Sequence, residues 1–154
     1  MMIEMKVKFV TLDPSSRKFL VLLMDLENKS ALPIWVGPFE ATAIALKLEK
    51  APFHRPLTHD LTQNVIQALN CQISRVVVND LRANTYYALI YIKAEKGEVV
   101  IDSRPSDAIA IALGSGAPIF VEEDVLNRAK HPDLSDRLNE WLENLKPEDF
   151  KYKA

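Results

Sequence analysis

Between Ile3 and Phe9 apolar and charged positions alternate, with Ile3, Met5, Val7 and Phe9 interleaved by Glu4, Lys6 and Lys8. A period of two is the pattern of a strand with one dry and one wet face, and it places this first strand at or near a sheet edge. Asp13 to Ser16 reads as a turn. Lys18 to Leu26 then runs apolar on both faces, as an interior strand does, so the two segments are expected to pair as a hairpin. Glu27 to Ser30 turns the chain again into a third strand, Leu32 to Val36, which stops at Gly37-Pro38.

The period then changes. Pro38 suits a first helical position, where its missing N–H is an orphan in any case, and Phe39 to Lys50 is rich in Ala and Leu. Ala41, Ala43 and Ala45 beside Ile44, Leu46 and Leu48 favour close approach to a sheet or a second helix. Pro52 and Pro56 end that helix. Thr58 is a candidate cap for another, with Leu61, Val65, Ile66 and Leu69 along one side and Asn70 as a stop. Cys71 to Asp80, Thr85 to Ala94 and Glu98 to Asp102 read as a three-stranded antiparallel meander. Ser103 to Asp107, with Pro105 near the first position, opens a helix that runs to Leu113 and ends at Gly114-Ser115-Gly116. Ala117 to Val121 is a short buried strand, so this strand, helix and strand predict a right-handed parallel crossover. Glu122, Glu123 and Asp124 supply the negative charge that a following helix favours.

Asp133 to Leu145 sets Leu134, Leu138, Trp141, Leu142 and Leu145 on one helical face, ahead of a polar tail carrying Phe150 and Tyr152. The expected class is α+β: a mixed, largely antiparallel sheet with a β-meander and one parallel strand-helix-strand crossover, helices packed against it, and an amphipathic C-terminal helix. Residues 1–130 form the expected domain. Residues 131–154, the helix and tail, belong either to the same fold or to a dimer contact, and a homodimer is the expected assembly.

Composition narrows the function classes. The 154 residues are 48% hydrophobic and 26% charged, as one domain with a core requires. Nineteen Lys and Arg stand against twenty-one Asp and Glu, for a net charge of −2. No global positive field attracts nucleic acid or anionic lipid, so any nucleic-acid site must be local. Cys71 is the single cysteine, which excludes an intrachain disulfide or a cysteine-based zinc site and suits a reducing compartment. The charged N-terminal alternation is not a secretory signal, and the apolar run Phe19 to Met24 is too short to span a bilayer. The expectation is a cytoplasmic protein that does not enter membranes.

Two polar stretches stand at predicted helix entrances: His54-Arg55-Pro56-Leu57-Thr58-His59-Asp60 and Asp102-Ser103-Arg104-Pro105-Ser106-Asp107. At the second, a strand end meets the free N–H groups of a helix start, where an anion can bind and carboxylates can hold a cation. The plainer alternative is that Ser106 or Asp107 caps the helix while Arg104 pairs with Asp102 or another carboxylate. His59 falls in a first helical turn, where the helix dipole disfavours imidazolium and suits a base or ligand, whereas His54 reads equally well as a solvated loop residue. Glu40, in the first turn after Gly37-Pro38, is favoured there by the dipole whether or not it does anything else.

The same stretches carry a resemblance. Leu32-Pro33-Ile34-Trp35-Val36-Gly37 running into Phe39-Glu40-Ala41, then Arg55 to Leu61, then Ile101 to Ala110, resemble in order the successive blocks of the bifunctional nuclease (BFN) domain family. The likeness extends from about Ile3 to Lys130. It implies an α+β domain that often self-associates, in a family named for nuclease action on DNA and RNA. On that reading the reaction is phosphodiester hydrolysis. Asp102 and Asp107, with Glu40 or Asp60, would hold Mg²⁺ or Mn²⁺; His59 or His54 would be the general base; Arg55, Arg104 and Ser106 would bind phosphate. The near-neutral charge then points to a flexible single strand gathered by a few arginines, Arg75 and Arg82 among the candidates. Two other classes compete: a non-catalytic ligand-binding or regulatory module, and an assembly protein whose polar corners are only caps and interface ion pairs.

Overall fold

A computed structural model describes residues 1–13, 16–129 and 152–153. The alternating N-terminal segment forms β1 (Met2–Leu12), which pairs antiparallel with β2 (Phe19–Asp25), and β2 pairs in turn with β3 (Ala31–Val36). The meander forms as β4 (Gln72–Arg82), β5 (Thr85–Ala94) and β6 (Gly97–Ser103). A short strand, β7 (Ile119–Glu122), joins the two halves, antiparallel to β1 and parallel to β4. The sheet order is thus β3-β2-β1-β7-β4-β5-β6, and a two-residue β8 (Tyr152–Lys153) pairs with Phe9 and Val10 of β1.

One expectation changes. β1 lies inside the sheet rather than at an edge, because its wet positions report only which face is uncovered, not which strands flank it. The edges are β3 and β6. The expected parallel crossover forms and makes the sheet mixed, and the structure adds which strand β7 joins. β5 already occupies the inner flank of β6, so the chain passes over β5 and β4 and docks β7 on the open flank of β4.

The register aligns one set of apolar positions on the face that the helices cover, while Phe9, Leu20, Leu22 and Val77 are buried on the other. Val7, Leu23 and Leu32 align across β1, β2 and β3, while Ile119, Val76 and Ile90 align across β7, β4 and β5. Onto the first face pack α1 (Pro38–Leu48), α3 (Pro105–Ser115) and α4 (Glu123–Ala129). α3 is the central helix, with all of Ala108 to Ala112 buried. Its three alanines there let the helix axis come close to the sheet while Ile109 and Ile111 fill the space between. Gly116, in the left-handed conformation at φ 76°, ends α3, and its N–H donates to the Ala112 carbonyl. α4 is fastened by Val125 and Leu126 in the core and by Arg128, which donates to the Leu81 carbonyl at 2.7 Å and to Asp80 at 2.8 Å.

α2 (Thr58–Ala68) departs from this plan, for none of its residues is buried. Of the apolar stripe read in the sequence only Ile66 is half-buried, and Leu61, Val65 and Leu69 are exposed. The C-terminal helix expected over Asp133 to Leu145, together with Phe150, lies outside the described residues. No helix among the described residues is long and apolar enough to cross a membrane.

Candidate functional site

Three helix N-termini supply the polar groups. β3 leads through Gly37 into Pro38 at the start of α1, which sets Glu40 in its first turn. β6 leads through Arg104 into Pro105, which sets Asp107 in the first turn of α3. Pro56-Leu57 leads into α2 with His59 and Asp60 in its first turn. In each case an extended residue precedes a helix whose first amides lack helical partners, so acidic side chains are favoured there.

Arg104 ties these ends together. Its Nε donates to Asp107 Oδ2 at 2.9 Å, its Nη2 to Asp107 Oδ1 at 3.2 Å and its Nη1 to Glu40 Oε1 at 3.0 Å. His59 Nε2 lies 2.9 Å from Asp107 Oδ1. Burial raises the Asp107 pKa, but the hydrogen bonds and charges of Arg104 and His59 together outweigh it and hold the carboxyl below its ordinary value. The same contacts, with Asp107 foremost, raise the pKa of Arg104. Asp107 is therefore an ionised acceptor, and the proton in the bond from His59 belongs to Nε2, an assignment that follows from the hydrogen-bond partners.

Asp60 is held separately. It accepts an ion pair from Lys47 of α1 and the Leu57 N–H at 2.9 Å, and these contacts lower its pKa, Lys47 foremost. Asp60, reaching back three residues, is thus the capping group of α2, and Thr58 is the first helical residue rather than the cap. At α3 neither Ser106 nor Asp107 caps. Ser106 is buried, and Arg104 pairs with Asp107 and Glu40, not with Asp102.

Two clefts flank the network. One, of about 390 Å³, is lined by His54, Arg55, His59 and Asp60 together with Phe53 and Leu57. The other, of about 360 Å³, is lined by Glu40, Arg104 and Ser106 together with Trp35 and Tyr86. The structure therefore joins Glu40, His59, Arg104 and Asp107 by direct contacts and places His54, Arg55 and Asp60 in the cleft with His59. Asp102 does not join them. It is exposed on the edge strand β6, outside both clefts, and its side chain makes no hydrogen bond or ion pair among the described residues. Arg75 and Arg82 are engaged elsewhere, stacked on Tyr91 and Tyr87 and paired with Glu98 and Asp80.

The residues present do not fit a Mg²⁺ or Mn²⁺ site. No three described His, Cys, Asp or Glu side chains group as ligands. Both Asp107 oxygens already accept hydrogen bonds, Glu40 is turned to Arg104 and Asp60 to Lys47. What remains is a histidine oriented by a carboxylate, beside a second histidine and an exposed arginine. Lys47 escaped the reading of the sequence because it lies thirteen positions before Asp60, on a different helix, and no local pattern links them.

A family model described as the bifunctional nuclease domain matches residues 21–133. Two uncharacterized proteins of Mycobacterium tuberculosis, from strains CDC 1551 and H37Rv, are each 37% identical to the chain over 164 aligned positions. Each alignment covers 96% of this chain and 98% of the relative.

Proposed function

The chain belongs to the bifunctional nuclease domain family, and from that premise we propose that it hydrolyses phosphodiester bonds of DNA and RNA in the cleft between His59 and Arg55. The observation that supports this reading is the His59–Asp107 hydrogen bond, which supplies an oriented base at a cleft wall. With the proton on Nε2, the Nδ1 lone pair of His59 is the basic group.

His59 takes a proton from water, the water oxygen bonds to phosphorus, and the bond from phosphorus to the leaving oxygen breaks. His54, in the same cleft, returns a proton to that oxygen. Arg55, which no group among the described residues engages, is the phosphate ligand, its planar fork matching two phosphate oxygens. Arg104 acts differently. Held between Asp107 and Glu40, it positions the carboxylate that orients His59. A cleft with few cations among the described residues favours flexible single strands, and its affinity falls with salt.

The test is cleavage of labelled single-stranded DNA and RNA by protein purified free of host nucleases. His59→Ala is expected to lower the rate by ~10²–10⁴-fold, as loss of a general base does. Asp107→Asn follows in the same direction, Arg55→Ala weakens substrate binding, and Asp102→Ala retains activity. Activity persists in a chelator. Equal rates in wild type and His59→Ala would overturn the reading, and salt-sensitive binding without cleavage would assign the cleft to a non-catalytic nucleic-acid module.

A further inference from the structure

Between α1 and α2 the chain passes through Pro52, Phe53, His54, Arg55 and Pro56. A phenyl ring left in water forgoes the burial that would stabilise it. Phe53 is nevertheless 50% exposed, and it lines the cleft of His59. The two prolines fix φ on either side of Phe53-His54-Arg55, so ring and guanidinium have little freedom to lose when a ligand binds.

The cleft has a second feature that packing does not require. Gly114 lies within α3, two residues before the glycine that ends the helix, and glycine is the poorest helix former after proline. A Cβ there would collide with Gln63 Oε1. Gly114 therefore leaves room for the Gln63 side chain. That residue stands one turn along α2 from His59, half-buried in the same cleft, and its amide makes no hydrogen bond among the described residues. A half-buried amide with its donors and acceptor unspent is one that a ligand can complete.

We propose, building on the hydrolytic reading of this cleft, that it also holds an unpaired nucleobase of the substrate, stacked on Phe53 and hydrogen-bonded at its edge by Gln63. A nucleotide asks for a flat apolar surface close to a phosphate ligand, and a ring and an unengaged guanidinium two positions apart in a stiff segment supply both. Inorganic phosphate would use Arg55 and leave the ring and the amide without a role. A primary amide offers both a donor and an acceptor, as the edge of every base does, so binding tolerates any sequence. A paired base cannot reach the ring, because its faces are stacked and its edge is occupied. The cleft thus selects single strands by access to the base as well as by charge, and its volume of about 390 Å³ lies in the range of small-ligand pockets.

Fluorescence anisotropy on the full chain, with short labelled strands whose phosphorothioate links resist cleavage, tests this. Wild type is expected to bind a strand that carries bases about 5- to 150-fold more tightly than an abasic strand of the same length and links, as loss of a stacked base predicts. Phe53→Ala, at an exposed site and checked by circular dichroism, should bind the two alike, and Phe53→Trp should restore the difference. Gly114→Ala should raise the melting temperature yet weaken binding of the base-carrying strand, and in a Gln63→Ala background it should leave binding unchanged. Equal affinity of wild type for the two strands, or a Phe53→Ala variant that binds as wild type does, would overturn the proposal. Base-dependent binding by a protein that cleaves no natural strand would uphold the base site and remove the hydrolytic reading, whereas cleavage with both strands bound alike would do the reverse.

Discussion

His59 and Asp107 are 48 positions apart, yet the chemistry proposed for the cleft rests on the bond between them. At this scale the sequence exposed the residue types but not the pairings. Arg104-Pro105 and Asp107 were legible because a helix start follows a strand end; that Arg104 would choose Asp107 and Glu40 over Asp102 was not. Asp102 is the closer neighbour of Arg104 in sequence than Glu40, but it sits on β6 among exposed edge residues, whereas Glu40 is delivered by a different helix. Gly37 bears on that delivery. A Cβ at Gly37 would collide with Glu40 Oε2, and the carboxylate must move. Gly37→Ala is thus expected to destabilise by less than about 1 kcal/mol, the worth of a largely exposed ion pair. In an Arg104→Ala background that loss should vanish, as chemical denaturation of the double-mutant cycle would show.

Among the elements, α3 is the one on which everything else leans. It touches α1 and α2 and lies over β4 and β5, and its buried run from Ala108 to Ala112 leaves no solvent-facing turn in the middle. Ile109→Ala is expected to cost about 2–5 kcal/mol, since the site is closed on all sides and cannot collapse readily. Gly116→Ala is expected to cost about 1 kcal/mol, because an L residue pays for the left-handed angle that ends the helix. Both are read from denaturant midpoints with unchanged slopes. The helix and its terminators were plain in the sequence, as were the three strands of the meander, because capping, proline and turn chemistry act locally. α2 was legible as a helix but not in its orientation. An apolar stripe predicts that a face is covered and leaves open by what; here polar anchors at His59 and Asp60 turn that stripe outward.

In the molecule as a whole, carboxylates paired with arginine and lysine link the elements, and they set how stability responds to acid. Asp80, bonded by Arg128 first and then by Arg82 and the Leu81 N–H, has its pKa lowered from 3.8 to about 2. Asp107 and Asp60 are shifted in the same direction. A carboxyl with a depressed folded-state pKa stabilises in full above its unfolded value and loses that contribution as pH falls through the folded one. Stability is therefore expected to decline between pH 3.8 and about 2. Asp80→Asn should be less stable than wild type at pH 5, and the two should converge near pH 2, as denaturation at each pH would show. The sequence by itself determined the α+β class, nearly every strand and helix, the family and the list of polar residues, because periodicity, capping and turn propensity are carried by neighbours in the chain. Tertiary structure alone decided that β7 pairs with β4, that Asp107 gathers Arg104 and His59 while Asp102 stands apart, and that α2 shows its leucines to solvent. Those outcomes depend on which strand edge is open and which helix end meets which, and no local pattern encodes a contact across dozens of residues.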